Sequence, residues 1–380
     1  MKRTNRWAGG SLAYLLSIPL LLGGGLAAPD VLRGQASELQ GADRLDLNPP
    51  PKWSVSGAWS QDGRHLLLVD AFRSQILEYR GDGSLVQGHE VPLGGTTVFS
   101  RPSTLKPRSG GFLVEQEDAA FVFLDPDLTS QRETDLLAET LQSPLRIASV
   151  FSWTLMGGEE DQLLLLGDVQ LENAETRTGF LRVPLDDPGE AELLFELEDD
   201  EAVDYYLLGH QYMTSLGGKA YLVEMTRSPS LVEVTPEGGV RRLEVFPEGF
   251  ELRPYLPNQG GLDQIPAMFA AVERSRMVAG LYAWEGHLYL LTREPVADGC
   301  RWTLLEIDPA RETIVQSFTL PTSAPHLTVV PGPESWAFLE RGRVTGFGQQ
   351  EVHGVVLMPS DRLRGEGRES GVPAVVHQRD

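Results

Sequence analysis

Gly63-Arg-His-Leu-Leu-Leu-Val-Asp70 decides the fold. A turn residue opens it, an unbroken apolar run follows, and an acid ends it. Five further stretches repeat the pattern: Gly111-Phe-Leu-Val-Glu115, Leu163-Leu-Leu-Leu-Gly-Asp168, Gly218-Lys-Ala-Tyr-Leu-Val-Glu224, Gly286-His-Leu-Tyr-Leu-Leu-Thr292 and Ser335-Trp-Ala-Phe-Leu-Glu340. Their end points lie 45, 53, 56, 68 and 48 residues apart. A period of this size marks a repeat architecture.

A second strand follows each run, as in Ile76-Leu-Glu-Tyr79, Phe121-Val-Phe-Leu124, Phe180-Leu-Arg-Val183, Leu231-Val-Glu-Val234 and Leu304-Leu-Glu-Ile307. Apolar residues alternate there, the period of a half-buried strand. Asp-Gly and Pro-Glu-Gly turns suit the intervening hairpins. A third strand trails at 190–197, 240–246 and 313–320, and an inner strand precedes each run, as at 55–59 and 213–216. Four antiparallel strands repeated six times predict a six-bladed β-propeller, an all-β fold, over residues 51–359. A β-sandwich or two small barrels would share the alternation, but neither has a reason to repeat a four-strand unit. The 40 glycines and 26 prolines punctuate the chain too often for helical repeats.

The longest step holds an inter-blade insertion at 247–277. It carries the Pro254-Tyr-Leu-Pro-Asn-Gln-Gly-Gly261 stretch and a helix-like spacing from Ile265 to Ser275. Long loops on a rigid scaffold are where binding residues concentrate, and Tyr255 is the candidate here. A lid that merely packs on one face is the competing reading.

The N-terminus predicts export. Lys2, Arg3 and Arg6 precede an apolar run from Leu12 to Leu22, and small residues follow. That order is a signal peptide over 1–27, with cleavage after Ala27. The competing reading is an uncleaved anchor, for which the run is short. Residues 28–50 are an N-terminal segment in which Arg44-Leu-Asp-Leu47 is the natural closing strand. Residues 360–380 turn polar and predict a disordered tail. The mature protein is expected in the periplasm or outside the cell, without stable membrane insertion.

Formal net charge is −22, and it becomes three units more negative once Lys2, Arg3 and Arg6 are removed. Such a surface repels nucleic acid. The single cysteine, Cys300, forbids an intrachain disulfide, so stability must come from burial.

The segment from Val55 to Tyr79 resembles an NHL-type propeller repeat: strand, Asp-Gly turn, apolar strand ending in Asp, the loop Ala71-Phe-Arg-Ser-Gln75, then a second apolar strand. The other blades follow it in outline, with Ala119-Ala120 and Ser228-Pro229 replacing the loop pattern. The resemblance implies a six-bladed exported propeller. It does not imply one activity, because such folds host binding modules, lactonases and lyases.

No catalytic set is legible. The seven histidines stand apart, with no His-Glu-x-x-His, and there is no Gly-x-Ser-x-Gly elbow or phosphate loop. Asp125-Pro-Asp-Leu-Thr129 begins like a calcium loop but has Ser130 at the turn position and Leu136 where the bidentate Glu belongs. What remains is the ring of strand ends. Asp70, Glu115, Asp168, Glu224 and Glu340 should surround one channel mouth, with Arg73, Arg227, Arg293 and Arg341 close behind. Three readings follow: rim ion pairs, recognition of a protein or small-molecule partner, or oxygen ligands for a Ca2+ ion. A binding or scaffold module needing no cofactor is the leading expectation. A calcium-dependent lactonase-like hydrolase or lyase is the alternative. Tyr205, Tyr206, His210 and Tyr212 form an aromatic cluster whose expected role is core or inter-blade packing, with a ligand platform as the second reading.

Overall fold

The four apolar residues of the opening motif are buried on both faces, which is why no polar residue interrupts them. Leu66, Leu67, Leu68 and Val69 are at most 2% exposed. A computed structural model describes residues 36–38, 42–52, 54, 56–92, 102–116, 119–156, 162–196, 212–224, 230–246, 276–342 and 352–363. The expected signal peptide, Tyr205, Tyr206, His210, and residues 247–275 of the expected insertion with its helix at 265–275 lie outside them, whereas Met277, the insertion's last residue, already opens a strand.

Two short strands open the described chain, β1 (Ala36–Glu38) and β2 (Asp43–Leu45). Blade one is β3 (Gly57–Trp59), β4 (His65–Asp70), β5 (Gln75–Arg80) and β6 (Leu85–Glu90). Blade two is β7 (Pro102–Arg108), β8 (Gly111–Gln116), β9 (Ala120–Leu124) and β10 (Ser130–Asp135). Blade three is β11 (Leu145–Leu155), β12 (Gln162–Leu171), β13 (Thr176–Pro184) and β14 (Glu192–Glu196). Blade four is β15 (Met213–Leu216), β16 (Lys219–Glu224), β17 (Ser230–Val234) and β18 (Val240–Leu243). Blade five is β19 (Met277–Trp284), β20 (His287–Val296), β21 (Gly299–Asp308) and β22 (Thr313–Thr319). Blade six takes β23 (His326–Val330), β24 (Ser335–Arg341) and β25 (Val352–Pro359) from the C-terminal part, and β2 as its outer strand. The architecture is the all-β, six-bladed propeller expected from the repeat.

Closure uses both N-terminal strands. β2 pairs antiparallel with β25, Arg44 opposite Val356, and β1 adds in parallel to β22 as a fifth strand of blade five. The chain then crosses the β5–β6 turn of blade one. Asn48 N donates to Gly83 O at 3.1 Å, and Tyr79 Oη donates to Pro49 O at 2.6 Å. Gly83 has φ +82°, and a Cβ there would stand 2.3 Å from Asp46 O, so only glycine admits the crossing.

Within each blade the second strand carries the packing. Its continuous apolar run faces neighbouring blades on both sides, whereas an outer strand such as β10 alternates half-buried and exposed residues over 130–133 and buries only Thr134. Apolar clusters fill the blade interfaces, for example Leu68, Tyr79, Val330 and Leu339 between blades six and one. Each fully buried Leu or Val contributes about 1.5–3 kcal/mol relative to exposure. One helical turn was not foreseen: α1 (Leu136–Glu139) follows β10, capped by Asp135 Oδ1 accepting from Ala138 N at 2.9 Å. Residues 360–363, placed in the polar tail by composition, form a single 3-10 turn that buries Ser360 and Leu363.

Candidate functional site

All six inner strands run the same way through the ring, so the channel has two unlike mouths. At one, the inner strands begin and the second strands end. At the other, hairpins join the two. The strand-end residues singled out from sequence belong to the first mouth.

Most of those carboxylates serve their own blade. Asp70 is fully buried; its Oδ1 accepts from Arg73 N at 3.0 Å, and its Oδ2 from Arg73 Nη1 at 2.7 Å and Lys52 N at 3.0 Å. It therefore closes the 71–74 loop and anchors the incoming chain. Glu115 Oε2 accepts from Trp153 Nε1 at 2.6 Å and from Ser103 Oγ at 3.2 Å, joining blades two and three. Burial pushes the Glu115 carboxyl above the usual range, against the pull of those hydrogen bonds and of Lys106. Asp168 ties three strands through Ser149 Oγ at 3.0 Å and Thr178 Oγ1 at 2.6 Å. Glu340 accepts from Arg44 Nη2 at 2.6 Å and from Thr322 Oγ1, which pins the closing strand. Glu224 ends β16 opposite Ser230. Arg227 and Tyr255 lie outside the described residues.

The arginines divide differently. Arg73 pairs with Asp70, as a rim ion pair requires. Arg341 is not the partner of Glu340. Arg293 and Arg341 are 2% and 3% exposed. Arg293 Nε donates to Cys300 Sγ at 3.1 Å, which gives the lone, buried cysteine a local role. Among the described residues no group of three or more His, Cys, Asp or Glu is placed to hold a metal ion.

The hairpin-side half of the channel holds a cavity of about 360 Å³. Each blade contributes its inner strand: Trp59, Lys106, Thr154, Thr214, Trp284 and Val329 line it, with Tyr282 and the 331–333 turn. Trp59 Nε1 donates to Val330 O at 3.2 Å, bridging blades one and six. Gly332 is needed there, since a Cβ would meet the Trp59 ring at 2.3 Å. Lys106 is 8% exposed; its Nζ donates to Trp153 O and lies 4.5 Å from the Trp153 ring centroid. Burial holds its pKa down to about 7, with the Glu115 charge opposing. The wall thus mixes aromatic and apolar side chains with the hydroxyls of Thr154, Thr214 and Ser215 and one amine whose pKa burial lowers to about 7.

These lining residues were missed in the sequence because inner strands carry no shared signature. One signal existed: Lys106 is one of only four lysines, set inside a strand.

Fold and channel together define a six-bladed β-propeller with an axial cavity. No family model matches the chain, and no curated protein matches it. Among solved structures, a member of the DUF4221 family from Bacteroides vulgatus is similar, with 13% identity, TM-score 0.53, and 84% of this chain and 96% of that one covered. A gluconolactonase from Xanthomonas campestris has 14% identity and TM-score 0.47, covering 85% and 92%. A putative exported protein from Bacteroides fragilis has 10% identity and TM-score 0.49, covering 84% and 95%. At these identities the likeness concerns the fold alone.

Proposed function

We propose that this is an exported binding propeller that takes a small ligand with an apolar or aromatic body into its axial cavity. The observation that carries the reading is the cavity of about 360 Å³ to which all six blades contribute. Small-molecule sites are of this kind: concave, mostly apolar, with a few polar groups. The first blade's repeat motif supports placing the chain among NHL-type propellers, and the basic-apolar-small N-terminus supports export. Against the lactonase-like alternative stands the use of Asp70, Asp168 and Glu340 as strand and loop ties, which occupies carboxylates a calcium ion would need.

The test uses the neutral fluorophore N-phenyl-1-naphthylamine. Its emission should rise on mixing with the mature protein, and Trp284→Ala and Trp59→Ala should each weaken binding by about tenfold. No enhancement, or wild-type affinity retained in both variants, would reject the cavity as the site. Calorimetric Ca2+ binding that disappears in Glu115→Gln would turn the assignment to the hydrolase reading.

A further inference from the structure

At the strand-end mouth, blades five and six bury positive charge in equivalent places. Arg293 faces Met277 across β19 and β20, and Arg341 faces His326 across β23 and β24. Met277 and His326 are the first residues of their inner strands, so both arginines lie one strand behind the channel entrance. Arg341 is the anomaly. It is 3% exposed, no carboxylate among the described residues pairs with it, and its Nε has no hydrogen-bond partner. Its chain neighbour Glu340 is committed to Arg44 and Thr322.

Among the described residues, the groups around it add no negative charge. His326 lies within electrostatic reach of both arginines; burial and then those two charges hold its pKa down to about 3, so it is neutral. Tyr282, also within reach of Arg341, takes a backbone hydrogen bond from Val329, which leaves its O–H proton to donate. Its ring folds back over Gly280, where a Cβ would come 2.3 Å from the hydroxyl oxygen. Burial lowers Arg341 to about 10, so it stays cationic at neutral pH. A buried cation without counter-charge is a costly arrangement unless an anion joins it. The set is made of donors: a guanidinium fork, a phenol and a second guanidinium.

We propose that Arg341 and Tyr282 hold a small oxyanion at the strand-end side of the channel, with Arg293 adding positive field beside it. The planar fork of an arginine matches carboxylate and phosphate oxygens alike. The oxyanion has two sources. It is a free ion, or it is the acidic end of a ligand whose body lies in the axial cavity, because Tyr282 lines that cavity too. The second source rests on the cavity-binding reading; the first does not.

Calorimetry on the mature full chain in chloride buffer, with inorganic phosphate, acetate and 1-naphthylacetate, tests it. At least one should bind, and Arg341→Met should weaken it by more than tenfold while Tyr282→Phe weakens it several-fold. Arg341→Lys, which keeps the charge but loses the fork, should fall between wild type and Arg341→Met, and serves if the Met variant does not fold. Phosphate or acetate binding as tightly as 1-naphthylacetate identifies a free ion. A margin for 1-naphthylacetate that Trp284→Ala removes identifies a ligand's acidic end. No heat from any of the three, or binding unchanged in Arg341→Met and Arg341→Lys, would overturn the site. Binding of the neutral fluorophore should be unaffected by Arg341→Met, so failure here and failure of the cavity reading are separable.

Discussion

Blade one and blade six place opposite charges at the same structural station, the end of the second strand, and treat them oppositely. Asp70 is fully buried, yet one guanidinium and two backbone N–H groups meet it within 3.0 Å. Arg341 is as deeply buried and meets no carboxylate among the described residues. The lesson is that position in a repeat does not assign a role. A compensated charge at that station is a loop closure, and an uncompensated one is a demand for a ligand.

The comparison breaks most sharply at Asp70. Replacing it with Asn removes the charge from three hydrogen bonds at once and frees the 71–74 loop. Loss of charge-assisted bonds in a buried place should cost about 3 kcal/mol in urea unfolding. A loss under about 1 kcal/mol would mean that Asp70 is not the closure described and is open to the recognition role.

Lys106 sharpens it from the channel side. Its folded pKa, about 7, is below the value near 10.4 in an unfolded chain. Between those values the unfolded state binds more protons, so stability rises with pH. Below pH 7 the lysine is charged in both states and the burial penalty is fully present. Stability should therefore climb from pH 7 toward pH 10 by an amount on the order of 3–4 kcal/mol, against whatever other groups contribute. Lys106→Met should flatten that climb relative to wild type. Equal slopes in the two proteins would show that the amine is solvated.

How much of this was legible follows the physics of each layer. The six second strands were readable because burial on both faces forbids polar residues, as in Leu163 to Leu166, all fully buried. Hairpins were readable because positive φ at Gly63 and Gly83 needs glycine. The strand-end acids were visible as a set, but their roles were not. That Glu115 would hold Trp153, and Glu340 hold Arg44, depends on pairs 38 and 296 residues apart, which no local pattern encodes. The inner strands were the least legible part. Each shows the channel only a few residues, drawn from threonine, tryptophan, lysine and valine alike, and what unites them is geometry across six blades. The arginine contrast was hidden for the same reason: Glu340-Arg341 reads as an ion pair in sequence, yet the two partners serve different contacts.

The smallest expected effect lies on the outer rim, and it completes the contrast with Asp70. Arg132 Nη1 donates to Asp186 Oδ1 at 2.5 Å, an ion pair as short as any at the Asp70 corner. Its side chains are 40% and 66% exposed, where those of Arg73 and Asp70 are 37% and 0%. Water already solvates the Asp186 carboxylate, so the pair gains little over its separated partners, and Arg132 keeps its stacking 4.0 Å over the Phe123 ring whichever way the carboxylate goes. Asp186→Asn should change stability by no more than about 0.5 kcal/mol, and added salt should erase even that, because exposed charges are screened over about 10 Å at 0.1 M. If Asp186→Asn costs as much as Asp70→Asn, then ion-pair distance rather than burial sets the energetics of this ring, and the distinction drawn between a closed loop and an open demand for a ligand loses its basis.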